Sequence, residues 1–413
     1  MFLLKKKLDP TWEYKGENTK TLTHGLHNYP AMFIPQVAKR LITLYTHEGN
    51  YILDPFCGSG TVLLESMVLK RNSIGIDLNP LAAFLAKVKT TPIDPKLLQQ
   101  YYFKLIFRIA DIKYSELSKP VFFNIDFWFK EEVIYELTRI KSAIDEIQEE
   151  NIKNFFLVAF SETVRRVSNV KNGEFKLVRM KKEKLDRFEP KVLSILKTIA
   201  EKNINGMAEL FVSSVNSPRP KIIFGDSSTD LEIARESIDC IITSPPYGDS
   251  RTTVAYGQFS RLSLQWLGII SGDESQIDKK LLGGKVTNEK IGLKSNYLEE
   301  VLTAIKQVDA RRAIEVYSFY HDIFPCLKNA YYVLKRGGRF CIVIGNRLVK
   351  GIRIPTDFIL TEICISLGFK LEDIFVRNIP NKRMPMKNSP TNISGKLEET
   401  MTKESIVILQ KIR

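Results

Sequence analysis

The residues best suited to chemistry are Ser244, Pro245, Pro246 and Tyr247. They follow Ile238-Asp239-Cys240-Ile241-Ile242-Thr243, a mostly apolar run suited to a buried parallel strand. Two consecutive prolines cannot donate to a ladder, so the strand stops and a rigid loop begins. Pro246 also drives Pro245 out of the helical region. The loop offers a hydroxyl, carbonyls without competing N–H groups and an aromatic ring. Those parts suit the holding of a flat amino group. Ser244 and the Pro245 carbonyl accept its hydrogens while Tyr247 stacks on the ring that bears it. The same residues also make an ordinary tight turn, so support must come from elsewhere in the chain.

A second constellation supplies it. Asp54-Pro55-Phe56-Cys57-Gly58-Ser59-Gly60-Thr61 follows the short strand Tyr51-Ile52-Leu53 and precedes a helix from Val62 to about Lys70. The strand Ser73 to Asp77 then ends in a carboxylate, 77 − 58 = 19 residues beyond Gly58. Strand, glycine loop, helix, strand and acid in that order form a nucleotide-binding half of a doubly wound fold. The glycines admit a ligand close to the backbone, the helix N-terminus offers N–H groups, and Asp77 suits a ribose diol. The pattern is not G-x-G-x-x-G and no Gly-Lys-Ser/Thr follows, which argues against a pyrophosphate cradle or P-loop and for an adenosyl ligand. Cys57 reads as a packing residue. A third strand, Lys221 to Phe224, leads into Gly225-Asp226-Ser227, where Asp226 is placed to meet an adenine amino group.

These loops need a sheet to carry them. Pro35 opens a helix over Gln36–Tyr45, and another runs from Leu81 to Val88. Residues 95–217 break the α/β rhythm with amphipathic runs such as Lys130–Ile147 and Phe155–Val167, and predict a mainly helical insertion. Within it, Lys171 to Arg187 carries seven Lys or Arg against three acids, a candidate phosphate contact or a solvated helix face. A short helix is expected over Leu231–Glu236. Residues 249–312 form a long connection with one helical piece, Phe259–Leu267. A helix over Ala313–Leu334 is expected to be capped at Gly337-Gly338. Arg339–Ile344, Lys370–Arg377 and Ser405–Leu409 complete the strands, with a helix over Phe358–Leu367. Residues 1–26 read as polar and irregular, and Arg377–Lys387 as basic and proline-rich. The expected organisation is a discontinuous catalytic domain (20–94 and 218–413), the insertion (95–217) and the 249–312 connection as a candidate ligand-contacting loop.

Of the 413 residues, 61 are Lys or Arg and 47 Asp or Glu, a net charge of +14 with a pI near 9.3. That excess favours a polyanionic partner. Five scattered cysteines without a C-x-x-C pair, and four histidines without ligand spacing, predict reduced thiols and no metal site. The N-terminus lacks a signal-peptide core and no apolar run reaches membrane-spanning length, so a cytoplasmic location without membrane attachment is expected.

Together these motifs resemble the S-adenosylmethionine-dependent DNA amino-methyltransferases, particularly the N4-cytosine type of restriction–modification systems. The likeness covers about residues 24–90 and 220–410. The family's Asp-Pro-Phe-x-Gly-x-Gly-Thr signature stands at Asp54 to Thr61, its acidic ribose position at Asp77, its strand-end Gly-Asp at Gly225-Asp226 and its Ser-Pro-Pro-Tyr at Ser244 to Tyr247. Its proline-aromatic methionine-binding loop looks like Tyr29 to Phe33. The resemblance implies a Rossmann-like methyltransferase sheet with S-adenosyl-L-methionine as cofactor. It places that cofactor against Tyr29, Pro30, Asp54, Pro55, Phe56, Gly58, Gly60, Thr61, Asp77, Asp226 and Ser227, with Ser244, Pro245, Pro246 and Tyr247 as the catalytic loop. It further implies double-stranded DNA as substrate, a flipped-out target base and a cognate restriction endonuclease. Serine at the first catalytic position is typical of N4-cytosine enzymes. An N6-adenine DNA enzyme, a tRNA guanine-N2 enzyme and a catalytically silent nucleic-acid-binding subunit stay open as alternatives. The insertion falls between the second and third motif strands, unlike the family arrangement, which leaves target recognition open between 95–215 and 249–312. Serine is a poor base, so the proton is expected to leave after methyl transfer; solvent is the expected acceptor, with Asp249 nearby in sequence.

Overall fold

In a computed structural model of the chain, the apolar runs named above become strands of one eight-stranded sheet. The structure describes residues 4–171, 173, 175–248, 254–269, 276–379, 387–388, 398–399 and 401–412. The strands are β1 (Lys7–Leu8), β2 (Tyr51–Asp54), β3 (Asn72–Asp77), β4 (Lys221–Phe224), β5 (Ile238–Thr243), β6 (Leu334–Gly345), β7 (Phe369–Asn378) and β8 (Lys403–Lys411). Their spatial order is β1-β7-β8-β6-β5-β2-β3-β4. All pairings are parallel except those of β8, which runs antiparallel between β6 and β7. The run β4-β3-β2-β5-β6 is the doubly wound order, and its direction of winding reverses between β2 and β5. With the antiparallel β8 beside β6, this is a Rossmann-like methyltransferase sheet.

Alternation along the strands splits the core in two. Ile242, Val343, Ile406 and Ile408 point to one face, where α1 (Pro35–Tyr45) covers them with Val37 and Leu41. Ile241, Ile342, Ile344 and Val407 point to the other, under α10 (Ala310–Val333) and α11 (Thr356–Leu367). The helices α2 (Thr61–Val68) and α3 (Pro80–Lys89) follow β2 and β3.

The insertion is helical: α4 (Pro95–Asp111), α5 (Glu131–Asp145), α6 (Glu150–Val167) and α7 (Val192–Ser213). It has no separate core. One apolar cluster joins its Phe155, Phe160 and Leu196 to Leu64, Leu81 and Leu85 beside the sheet, and to Phe259 and Trp266 of α8 (Tyr256–Leu267). Trp266 alone meets the rings of Phe122, Phe129 and Phe160.

Four local expectations are corrected. The N-terminal segment is not irregular: β1 extends the sheet beside β7, and Trp12 is buried against Phe375 with Arg40 stacked on it. That burial contributes on the order of 2 kcal/mol. Leu231–Glu236 is not a helix, because Asp230 turns the chain by accepting the Glu232 N–H, and Glu232 and Glu236 both sit near φ +50°. The 249–312 connection holds a second substantial helix, α9 (Asn296–Val308), capped by the Ser295 hydroxyl on Leu298 N. The glycines at 337–338 do not cap α10; the chain passes directly from Val333 into β6, and they absorb a register shift in which Ile238 faces Leu334 but Cys240 faces Arg339. A Cβ on Gly338 would lie 2.9 Å from the Asp239 carbonyl. Asp249 and most of the basic Arg377–Lys387 stretch lie outside the described residues. Among the described residues, no helix is long and apolar enough to cross a membrane, and no group of three or more potential metal ligands forms.

Candidate active site

A cavity of about 500 Å³ opens at the carboxyl ends of β2, β3, β4 and β5, at the reversal of the sheet order. The loops after those four strands therefore meet around one space. Of the predicted cofactor residues, Tyr29, Pro30, Asp54, Pro55, Phe56, Gly58, Thr61, Asp77, Asp226 and Ser227 line it, and so do Ser244 and Pro246 of the proline loop.

Gly60, Pro245 and Tyr247 do not line it. Gly60 starts α2 in the left-handed region (φ +82°), where a Cβ would lie 2.9 Å from the Cβ of Ala86. Its task is the close approach of α2 to α3. Gly58 is different: at φ +51°, a Cβ would meet, among the described residues, just Tyr29 Cε1 at 4.0 Å, so it keeps the cavity wall low. Pro245 is buried behind its neighbours. Tyr247, expected to stack on a target ring, packs against Gly345 of β6, where a Cβ would stand 2.8 Å from its ring. Its hydroxyl lies 3.2 Å from Ser244 Oγ and donates to Glu404 Oε1 at 3.0 Å.

The carboxylates at the strand ends brace the loops. Asp54 Oδ1 accepts from the Thr243 hydroxyl at 2.6 Å and from Phe56 N at 3.2 Å. Asp77 accepts from Gly58 N and from Asn79 N, each at 2.8 Å, so it fastens the glycine loop to the end of β3. Burial pushes the Asp54 carboxyl up to about 7 and that of Asp77 up to about 6, against the pull of these hydrogen bonds. Among the described residues neither has a cationic partner. Asp226 turns its own loop by accepting Ser228 N, and Ser227 is buried with its carbonyl bonded to Asn329. Cys57 packs under Gly75, and burial raises its thiol far above the ordinary value, which makes it inert.

Several lining residues were not read from the sequence. Asn79 caps α3 and donates to the Tyr29 hydroxyl at 3.0 Å and to Ser260 at 2.8 Å. Tyr256 stacks on Tyr29 with 5.9 Å between ring centres. The Asn79-Pro80 pair was a readable helix start; Tyr256 carried no local signal. From the long connection, Lys279, Lys280 and Lys285 reach the cavity, and His321, Asp322 and Pro325 of α10 face it. Asp278 accepts Gly257 N and Asp322 accepts Gly283 N, which anchor that segment at both ends.

These features fit an adenosyl sulfonium ligand. The cavity has the size of a small-cofactor site, a glycine that leaves room for close approach, stacked tyrosines, and two carboxylates that a cationic ligand would neutralise. Asp77, Asp226, Ser227, Tyr29 and Pro30 all line this space.

Comparison with known proteins agrees. A family model described as DNA methylase matches residues 4–87. The Type II methyltransferase M.MvaI of Kocuria varians is 42% identical over 98% of this chain and 96% of its own length. Type II methyltransferase M.BsoBI of Geobacillus stearothermophilus is 24% identical over 96% of this chain and 87% of its own. M.MjaII of Methanocaldococcus jannaschii is 25% identical over 66% and 67%. With near-complete coverage at 42% identity and the family's signature loops gathered around one cavity, the chain belongs to the DNA amino-methyltransferases, whose methyl donor is S-adenosylmethionine.

Proposed function

We propose that the protein methylates the exocyclic N4 amino group of a cytosine in double-stranded DNA, within a restriction–modification system. The observation that carries this reading is the presence of Ser244 in the same cavity as Gly58 and Asp77. A hydroxyl, rather than a carboxylate or amide, thus stands where an amino group would be held. S-adenosylmethionine supplies an activated methyl group when bound. The chain's residues do the positioning. Ser244 Oγ, which lines the cavity, accepts from an amino N–H and draws the nitrogen lone pair out of conjugation. Pre-set dipoles of this kind lower the barrier without reorganisation during the step. The target base must leave the duplex to reach the cavity. The net charge of +14, the exposed basic stretch of the insertion and the three lysines at the cavity mouth suit phosphate contacts.

Incubation with plasmid DNA and S-adenosylmethionine, digestion to nucleosides and mass spectrometry tests the reading. N4-methylcytosine is the expected product. N6-methyladenine would keep the site and its chemistry but overturn the base assignment. Modified tRNA with unmodified DNA would overturn the DNA assignment.

A further inference from the structure

The Ser244 hydroxyl is one end of a hydrogen-bonded chain that leaves the cavity and enters the sheet. Ser244 Oγ lies 3.2 Å from the Tyr247 oxygen, and the Tyr247 hydroxyl donates to Glu404 Oε1 at 3.0 Å. The other oxygen of Glu404 accepts from Arg377 at 3.1 Å. Glu404 stands on β8, opposite Gly345 of β6 and Arg377 of β7. The Arg377 side chain is fully buried and that of Glu404 is 16% exposed. Gly345 leaves room for the Tyr247 ring above it.

Proton counting gives this chain a direction. Each hydroxyl has one proton, and an ionised carboxylate has none. Tyr247 therefore spends its proton on Glu404, and the proton between Ser244 and Tyr247 belongs to Ser244. Only lone pairs of Ser244 remain for the cavity, the polarity needed to hold an amino group.

We propose that Glu404, acting through Tyr247, sets Ser244 as an acceptor and is the terminal acceptor of the proton released on methyl transfer. This rests on the proposed reaction at an exocyclic amine. Once that nitrogen has gained a methyl group it is positively charged and must lose a proton. One N–H bond breaks, its electron pair stays on nitrogen, and the proton joins Ser244 Oγ. The original Ser244 proton passes to the Tyr247 oxygen, and the original Tyr247 proton forms an O–H bond with Glu404 Oε1. The positive charge on nitrogen and the negative charge on the carboxylate vanish together, and no other reactant is required. After the product leaves, the proton returns along the same chain to water in the cavity.

The surroundings of Glu404 suit this task. Arg377 from β7 and Tyr247 from the loop after β5 face it, and Gly345 of β6 pairs with it. Burial raises its proton affinity, opposed by Arg377 and by the Tyr247 hydrogen bond. Burial also holds the Tyr247 phenol well above its ordinary value, so that its proton is in place.

Single-turnover methyl transfer to DNA, measured against pH, tests the relay in Glu404→Gln, Tyr247→Phe and the double variant. Tyr247→Phe keeps both the Arg377–Glu404 pair and the ring on Gly345, so it reads the relay without disturbing the fold. Each single change is expected to slow transfer about 100-fold, as loss of a general base does, and the double change should be no slower than either. The acidic limb of the wild-type rate profile should disappear in both variants, while cofactor affinity by calorimetry stays within about two-fold. Wild-type rates and profiles in both single variants would overturn the relay, and multiplicative losses in the double variant would overturn the shared chain. Absence of transfer by the wild-type protein would instead overturn the underlying reaction, and the relay with it.

Discussion

Thr243, the last residue of β5, donates its hydroxyl proton to Asp54, the last residue of β2, across 2.6 Å. This bond joins the two strands at which the sheet order reverses, one leading to the glycine loop and the other to the proline loop. It sets the spacing between the two halves of the cavity. Thr243→Val keeps the shape and removes the donor. Because Asp54 is buried, the variant is expected to lose about 1–3 kcal/mol of unfolding free energy and to bind S-adenosylmethionine more weakly. Urea denaturation and calorimetry measure the two effects. Wild-type values for both would show that the two loops are braced by other contacts.

Gly58 and Gly60 are two residues apart and do different work. Gly60→Ala forces a methyl group onto Ala86 at 2.9 Å and also strains the backbone at φ +82°; it should destabilise the fold by about 2 kcal/mol or more. Gly58→Ala meets no atom nearer than 4.0 Å, so its cost in stability is only the left-handed backbone, about 1 kcal/mol. Its methyl group narrows the cavity, and cofactor affinity should fall at least about ten-fold. Thermal melts with and without cofactor separate the cases: Gly60→Ala lowers the melting temperature itself, and Gly58→Ala mainly reduces the rise on adding cofactor.

Asp54 and Asp77 are expected to make cofactor binding a proton-releasing event. Burial holds them at about 7 and about 6, above the ordinary 3.8. Between 3.8 and those values the folded chain retains protons that the unfolded chain has lost. The free protein is therefore expected to lose stability as pH rises through that window. A cation bound beside the carboxylates favours their charged forms and expels those protons, so affinity should weaken as pH falls below about 7 for Asp54 and below about 6 for Asp77, by up to ten-fold per unit for each carboxylate. Calorimetry at pH 6.5 (roughly the middle of the titration range) in two buffers of different ionisation enthalpy should show net proton release, smaller in Asp77→Asn. Net uptake would contradict the charge pairing.

How much of this was readable depends on the range of the physics involved. Strands β2, β3, β5 and β6 announce themselves because buried parallel strands need continuous β-branched runs, and the residues that end them, Asp54, Asp77 and Pro245, also line or support the site. Helix α9 was readable, with Leu298, Val301, Leu302 and Ile305 at helical spacing behind the Ser295 cap, but the lysine-rich residues before it looked like open loop. Leu231–Glu236 is no helix because the hydrogen bond from Glu232 N to the Asp230 carboxylate outweighs a weak periodicity. Glu404 carried no local signal. Its contact with Tyr247 spans 157 residues and exists only because β8 enters the sheet antiparallel beside β6. Tyr256 likewise meets Tyr29 only once α8 has folded against the sheet.

Two lysine groups are candidates for phosphate contact under the proposed function, and salt dependence distinguishes them. Lys181, Lys182 and Lys184 are exposed on the insertion, whereas Lys279, Lys280 and Lys285 stand at the cavity. Each phosphate neutralised contributes about 0.9 to the slope of log affinity against log salt. Changing either trio to glutamine should lower that slope by about 2 to 3 if all three residues meet phosphate. The cavity trio lines the site, so its loss is expected to reduce the methylation rate as well as binding. The insertion trio does not line the cavity, so its loss should weaken binding about equally for specific and non-specific DNA and leave single-turnover transfer at saturating DNA unchanged. Fluorescence titrations at several salt concentrations, paired with transfer rates, decide the matter. An unchanged slope for the insertion trio would favour recognition by the 249–312 connection instead.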